Sequence, residues 1–300
     1  QSSRYTSAPL RTWQLAVNYR HSFHAGNFAD VHKHLTLLAV LDYLLLKPKP
    51  ILFLDTHAGR GEYDLHSTDA HRGSEWQEGI GRLFNSQCQS PLIQRYINVI
   101  RKAQQGSGTL HTYPGSPVIA THVLRDSDRR VFVEMQAEEC LALRKLLRQP
   151  NHHMINTTVS QDDGYQALKA YLPPKERRGL VLIDPPFEAP NEFKQLEQAL
   201  VHAAERWPEG VYCLWYPIKS GGLVNPFYAA LKRSGLRNLL RAELSVRPND
   251  TPLGLNGSGM IIMNPPWQLD QHLRAAYTEL LPLLAPNSQG DQRVEWLVGE

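Results

Sequence analysis

The sequence predicts an α/β protein: a mostly parallel sheet wound with helices on both faces and ended by an antiparallel hairpin. Three observations lead there. Short apolar runs alternate with segments of helical spacing along most of the chain, the pattern of βα units. Several of those runs end at an acid, on the edge where open α/β sheets hold their ligands. The last two runs follow one another with no helix between them, a connection that parallel strands do not make.

From Ala29 to Leu46, Val31, Leu35, Leu38, Leu41, Leu45 and Leu46 fall at helical spacing, and Lys47-Pro48-Lys49-Pro50 stops the helix. Ile51 to Asp55 is the first strand. Residues 62 to about 112 break the rhythm; Glu75 to Phe84 and Pro91 to Gln105 read as helices, so a small helical insertion is expected here. The rhythm returns with a strand at Val131 to Glu134, a Leu-rich helix at Ala137 to Arg148 and a strand at Met154 to Ser160. A short helix at Gln166 to Tyr171, a strand at Gly179 to Ile183 and a helix at Phe193 to Arg206 follow. Gly210 to Tyr216 is a strand expected to end at Pro217, and Pro226 to Ser234 a helix. Leu239 to Val246 and Gly259 to Met263 form the terminal hairpin. The polar residues 1–18 read as a flexible extension, and residues 19–300 as one domain.

Bulk properties exclude several classes. Of 300 residues 42% are hydrophobic and 20% charged, enough apolar content for a packed core. A net charge of +3, from 32 basic and 29 acidic residues, does not by itself announce a nucleic-acid binder. Three scattered cysteines, Cys88, Cys140 and Cys213, fit neither a disulfide framework nor a zinc site and point to a reducing cytoplasm. No apolar run approaches the roughly 20 residues that span a bilayer, so no membrane role is expected.

The most informative motif is Asp184-Pro185-Pro186-Phe187, directly after the strand Gly179 to Ile183. An adenine N6 is a poor nucleophile, because its lone pair is delocalised into the ring. A carboxylate (Asp184) and a carbonyl held by proline (Pro185) can accept its two hydrogens and localise that pair toward a methyl donor. Phe187 can stack on the base. A second copy, Asn264-Pro265-Pro266-Trp267, follows the last strand of the hairpin. That strand is expected at the far edge of the sheet and antiparallel, so its end points away from the carboxyl edge.

Asp55-Thr56-His57-Ala58-Gly59-Arg60-Gly61 forms a glycine turn after the first strand. Gly59 and Gly61 permit close approach of backbone to a ligand. The full dinucleotide spacing fails, since Asp64 stands where a third glycine belongs, and no Gly-Lys-Ser/Thr phosphate loop is present. The acids are more telling. Glu134, at the end of the second strand of the rhythm, can take two ribose hydroxyls, and Asp163, after the third, an adenine amino group. With Asp55 and Asp184 they put one acid at each strand end, the order expected of a nucleoside-type cofactor beside an amino-group acceptor. Before the first helix lies a histidine-rich stretch with His21, His24, His32 and His34. With no cysteine or glutamate nearby it is not read as a metal site. It reads as a helix start capped by Asn27 or Asp30, with Lys33 for a phosphate, Tyr19 for a base and His34 toward the cofactor.

With these residues in view the chain resembles the RlmJ family of large-subunit ribosomal RNA methyltransferases, from Tyr19 to about Trp296. The shared runs are Tyr-Arg-His-Ser-Phe-His-Ala-Gly-Asn at 19–27, Asp-Val-His-Lys-His at 30–34, Leu-Asp-Thr-His-Ala-Gly at 54–59 and Tyr-Pro-Gly-Ser-Pro at 113–117. Asp163-Gly164, the Asp-Pro-Pro-Phe motif, Leu-Trp-Tyr-Pro at 214–217 and Gly-Met-Ile-Ile-Met-Asn-Pro-Pro-Trp at 259–267 complete them. The resemblance implies a Rossmann-like, S-adenosylmethionine-dependent fold with a helical insertion, and methylation of adenine N6 in 23S ribosomal RNA. It puts cofactor contacts on His34, His57, Ser116, Glu134, Asp163 and Gly164, the catalytic acid on Asp184, and substrate handling on Tyr19, His21 and Lys33; the glycine turn adds Gly59 to the cofactor set, and the tetrapeptide adds Pro185 and Phe187 to the catalytic one. The cysteine usage and the mechanism together lead to the expectation of a cytoplasmic protein without a metal, acting as a monomer. The chain departs from the family in its eighteen residues before Tyr19 and in Phe187, where tyrosine is common. The competing readings are a DNA adenine-N6 methyltransferase, a nicotinamide enzyme and a non-catalytic RNA-binding relative. The glycine spacing argues against the second, and the retention of every acid against the third.

Overall fold

The computed structural model describes residues 21–150, 155–252, 254–287 and 289–299. Tyr19, the expected extension 1–18 and Met154 lie outside them.

A 3-10 turn, His21–Phe23, leads into helix α1 (Phe28–Leu44) and strand β1 (Leu52–Asp55). Next come β2 (Glu62–Asp64), α2 (Thr68–Gly73), α3 (Glu75–Glu78), α4 (Ile80–Phe84), α5 (Pro91–Ala103) and β3 (Thr112–Pro114). The regular alternation follows as α6 (Ser116–Val123), β4 (Arg129–Val133), α7 (Ala137–Leu147), β5 (Thr157–Ser160), α8 (Gly164–Tyr171), β6 (Gly179–Ile183), α9 (Glu192–Arg206), β7 (Val211–Ile218) and α10 (Val224–Arg233). The chain ends with β8 (Leu239–Ser245), β9 (Gly257–Met263), α11 (Leu269–Leu284) and β10 (Asp291–Val298).

Eight of the strands make one sheet in the order β10-β8-β9-β7-β6-β1-β4-β5. The five from β5 to β7 are parallel, and β9, β8 and β10 join antiparallel. The sheet is the expected Rossmann-like, doubly wound one. Every residue of β1 and β6 is buried, as continuous apolar strands covered on both faces must be. Their side chains alternate between two cores. Phe53, Leu180 and Leu182 join α1, α5, α6 and α11 on one face. Leu52, Leu54, Val181 and Ile183 join α8, α9 and α10 on the other.

Several expectations need correction. The stretch from 62 to 112 is mostly helical, but a two-stranded antiparallel sheet of β2 and β3 closes its base. Three-residue strands show no period to read. The single helix expected over Glu75 to Phe84 is two, broken at Gly79, whose φ of −100° and ψ of −110° are not helical. Gly79 cannot carry a side chain, since a β-carbon would lie 2.1 Å from the Gly26 carbonyl. The strand expected to end at Pro217 runs on to Ile218, with Pro217 opposite Ser258 of β9. Beyond Leu214 β7 no longer pairs with β6, which leaves an open side where a residue without an N–H is tolerated. Finally, β9 is not at the sheet edge. It lies between β7 and β8, and the edge is β10, a strand the sequence reading passed over along with α11. The direction of β9 is as expected. Asn264 donates to the carbonyls of Pro208 and Gly210, just before β7 begins, so the second Pro-Pro motif sits at the amino edge.

Candidate active site

Strand β1 is flanked by β4 on one side and β6 on the other, and the chain leaves it in both directions, so a crevice opens at its carboxyl end. All four acids of the predicted set lie on this edge. A cavity of about 580 Å³ occupies it. Topology divides the cavity into a half over β1 and β4 and a half over β6 and β7.

The β1–β4 half is built around backbone amides and the carboxylate of Glu134. Gly59 adopts φ +61°, where a β-carbon would meet the Tyr63 hydroxyl at 2.4 Å. That turn aims the Gly59 amide at Glu134 Oε2 (2.8 Å), while the Gln136 amide holds Oε1 (2.8 Å). Burial raises Glu134 above the usual carboxylate range, although those amides work to lower it. Each oxygen keeps a second lone pair for a hydroxyl. His57 follows β1 and is pushed down to about 4 by burial, so its imidazole is neutral. Its Nδ1 bonds the Thr56 hydroxyl (2.8 Å), and its ring meets Tyr165 edge-on. Ser116 opens α6 and donates to Asp55 Oδ2 (2.6 Å). Burial pushes Asp55 up to about 7. His34 lies on the wall, pushed down to about 3 by burial with a contribution from Lys33, and its Nδ1 is tied to the Tyr113 hydroxyl (2.7 Å) and through it to Tyr96 (2.8 Å).

The β6–β7 half is a network of charges under aromatic walls. Leu180 and Leu182 point to the α1 face, and the same alternation carries Asp184 to that face. There the first turns of α1 present Asp30, Lys33 and His34 at i, i+3 and i+4. Asn27 caps this helix by accepting from Ala29 and Asp30 amides (both 3.0 Å), as one of the two predicted caps. Lys33 Nζ bridges two carboxylates, Asp184 Oδ2 at 2.5 Å and Asp30 Oδ1 at 2.8 Å. Burial alone would lower the ammonium, but Asp184 and Asp30 outweigh it and hold Lys33 well above the ordinary lysine value. Asp30 also accepts from His21 Nε2 (2.9 Å) and the Gly26 amide (2.9 Å). Burial pushes Asp30 up, yet His21 and Lys33 prevail and hold it well below the carboxylate range. Phe187 sits at φ +52°, a left-handed conformation that stores on the order of 1–2 kcal/mol in a residue with a side chain. Its ring packs edge-on against Phe193 (4.8 Å) and Trp215 (5.7 Å), and Lys33 Nζ lies 6.0 Å from the Trp215 ring centre.

The cavity wall thus gathers His21, Lys33, His34, His57, Gly59, Ser116, Glu134, Asp184, Pro185 and Phe187 of the predicted residues. Asp163 and Gly164 are outside the lining set. Asp163 caps α8 through Oδ1, which accepts from the Tyr165 (2.8 Å) and Gln166 (3.1 Å) amides. Gly164 packs so tightly on β1 that a β-carbon would lie 2.2 Å from the Thr56 carbonyl. Sequence reasoning missed Asp30 as the partner of Lys33 and His21, though its spacing of three before Lys33 on a helix was a usable signal. It also missed Trp215, whose place follows from β7 running past β6. Among the described residues no group of three His, Cys, Asp or Glu side chains forms a metal-ligand set, and no helix is long and apolar enough to cross a membrane.

Comparison with known proteins adds to the geometry. A family model described as "Ribosomal RNA large subunit methyltransferase D, RlmJ" matches residues 48–298. Two relatives called Ribosomal RNA large subunit methyltransferase J, from Haemophilus influenzae and Escherichia coli, are each 39% identical over 284 residues, 95% of this chain and 100% of theirs. The crystal structure of protein LPL1258 from Legionella pneumophila superposes with a TM-score of 0.80 at 34% identity, covering 91% of this chain and 98% of that one.

Proposed function

The chain belongs to the RlmJ family of large-subunit ribosomal RNA methyltransferases, and from that premise we propose that it methylates N6 of an adenine in 23S ribosomal RNA with S-adenosylmethionine as donor. The observation that carries the assignment is the single cavity that sets Asp184-Pro185-Pro186-Phe187 beside the glycine turn and Glu134.

The residues of the β1–β4 half fit a nucleoside cofactor. Glu134 is oriented by two amides and offers a lone pair on each oxygen to the ribose hydroxyls. Gly59 brings backbone close, His57 and His34 are neutral and do not repel a cation, and Asp163 stands beside His57 at the start of α8. When bound, S-adenosylmethionine supplies an electrophilic methyl group on a sulfonium. The chain's own task is to ready the acceptor. An adenine must leave its stack to reach the cavity. Asp184 and the Pro185 carbonyl then accept the N6 hydrogens, and Phe187 supports the ring. Lys33 stands where the N6 donors must go, 2.5 Å from Asp184. It can yield that place without becoming an unpaired buried charge, because Asp30 keeps hold of it. Holding the two reactants in line then supplies most of the rate. We read residues 62–112 as an insertion that walls this mouth.

The test is transfer of labelled methyl from S-adenosylmethionine to 23S ribosomal RNA, followed by digestion to nucleosides. Label is expected in N6-methyladenosine. Label in another nucleoside, none at all, or equal labelling of duplex DNA refutes the proposal.

A further inference from the structure

The cavity mouth is electrically lopsided. Over β4 it carries Glu134 and Glu139, and next to Asp184 stands Glu188. The basic residue on that side, Arg60, is clamped by both oxygens of Glu139 (2.6 and 2.8 Å). Over β7 and β8 the signs reverse. Lys219 lines the cavity just past the end of β7, and Arg247 follows β8. Both are exposed, and among the described residues neither takes part in an ion pair with a carboxylate, unlike Arg60 or Lys33.

The two loops that carry these cations are braced into one body. Asn256, fully buried, donates its amide to the Ile218 carbonyl (2.9 Å) and its side chain to the Thr251 carbonyl (2.9 Å). The Ser220 hydroxyl reaches the Pro252 carbonyl (3.4 Å), and Ser245 bonds Asn249 (3.0 Å). Gly254, at φ +96° on the cavity rim, lets the Arg247 guanidinium lie against it; a β-carbon there would sit 3.4 Å from Nη1. The nearest carboxylate on that side, Glu75, feels Arg247 but is itself tied to His24 (3.0 Å) and Asn27 (2.9 Å) and forms no ion pair with it. Cations held on a braced rim outside any ion pair are what phosphate recognition needs. A phosphodiester crossing on the β4 side would meet carboxylates instead.

We propose that residues 219–222, 247–252 and 254–255 form a platform for the RNA backbone, with Lys219 and Arg247 holding phosphates that flank the target adenosine. The inference rests on the ribosomal RNA assignment and gives the strand a direction across the mouth: it enters over β7 and β8, not over β4.

The experiment measures binding of in vitro transcribed 23S ribosomal RNA across a range of KCl concentrations. Lys219→Ala, Arg247→Ala and the pair are compared with Lys175→Ala, an exposed lysine in the loop before β6 at the amino edge. Each platform variant is expected to weaken RNA binding severalfold and to flatten the plot of log affinity against log salt by about 0.7 per lost contact. Lys175→Ala should do neither, and S-adenosylmethionine binding, the folding control, should be retained. Unchanged affinity and slope in the double variant overturn the platform, as does an equal effect of Lys175→Ala. If the chain binds RNA through these residues yet transfers no methyl group, the platform stands and the methyltransferase assignment falls. If methyl transfer proceeds and RNA affinity ignores both residues, the reverse holds.

Discussion

Replacing Asp30 by asparagine tests the charge network under Asp184 with little change of shape. Asp30 is 2% exposed and its Oδ1 lies 2.8 Å from Lys33 Nζ. Two unit charges at that distance attract by about 6 kcal/mol at an effective dielectric of roughly 20. Asparagine forfeits that attraction but also avoids desolvating a carboxylate, and Asp184 still neutralises Lys33. The net loss expected is therefore about 3 kcal/mol, the low end for breaking a buried pair. Urea unfolding at pH 7 measures it. The sign with pH follows from Asp30 being held well below the carboxylate range by His21 and Lys33 against the pull of burial. Its stabilisation is complete above the unfolded value of about 3.9 and is lost as pH falls through the folded one. The deficit of the variant should thus be full at pH 7 and shrink in strong acid. Activity should fall as well, because Lys33 left with Asp184 alone competes harder with the incoming base. The combined Asp30→Asn and Lys33→Met changes should destabilise less than the sum of the two. A deficit under about 0.5 kcal/mol at pH 7, or full additivity, refutes the network.

Three further outcomes follow from the same geometry. Phe187→Ala should lower kcat/KM about tenfold or more through lost base stacking, while Phe187→Tyr stays near wild type; equal activity of all three removes the stacking role. Gly164→Ala must push a β-carbon into the Thr56 carbonyl, so we expect about 2 kcal/mol lost in thermal melts and weaker S-adenosylmethionine binding by calorimetry; a neutral variant means α8 does not need that approach. His32 and His34, pushed down to about 3, and His57, to about 4, are kept neutral chiefly by burial. Below pH 6.5 the unfolded chain gains protons that the folded one refuses, so stability should drop by up to about 1.4 kcal/mol per pH unit for each histidine; a flat denaturation midpoint from pH 7.5 to 5 contradicts this.

The central fold was legible because buried parallel strands write themselves as unbroken apolar runs. Leu52 to Leu54 and Leu180 to Ile183 have no polar face to obscure them. The edges were harder. β10 mixes Asp291, Arg293 and Glu295 with Val294 and Leu297, as an exposed edge strand must to resist pairing, and that mixture hides its period. β2 and β3 are too short to have one. Of the site, the residues at strand ends could be found by counting acids, since a strand's direction fixes where its end lies. What could not be read was contact between distant segments. Lys33 and Asp184 are 151 residues apart, and nothing in either local pattern says that one ammonium bridges Asp184 and Asp30. Trp215 escaped notice because its role depends on β7 outrunning β6, a fact of pairing and not of composition.

The assignment of Asp184 as the acceptor of the N6 hydrogens is tested most directly by single-turnover methyl transfer to 23S ribosomal RNA with wild type and Asp184→Ala side by side. S-adenosylmethionine binding is measured on both. The expected result is a variant that binds S-adenosylmethionine as wild type does yet transfers at least about a hundredfold more slowly. A variant that labels the RNA at the wild-type rate contradicts it.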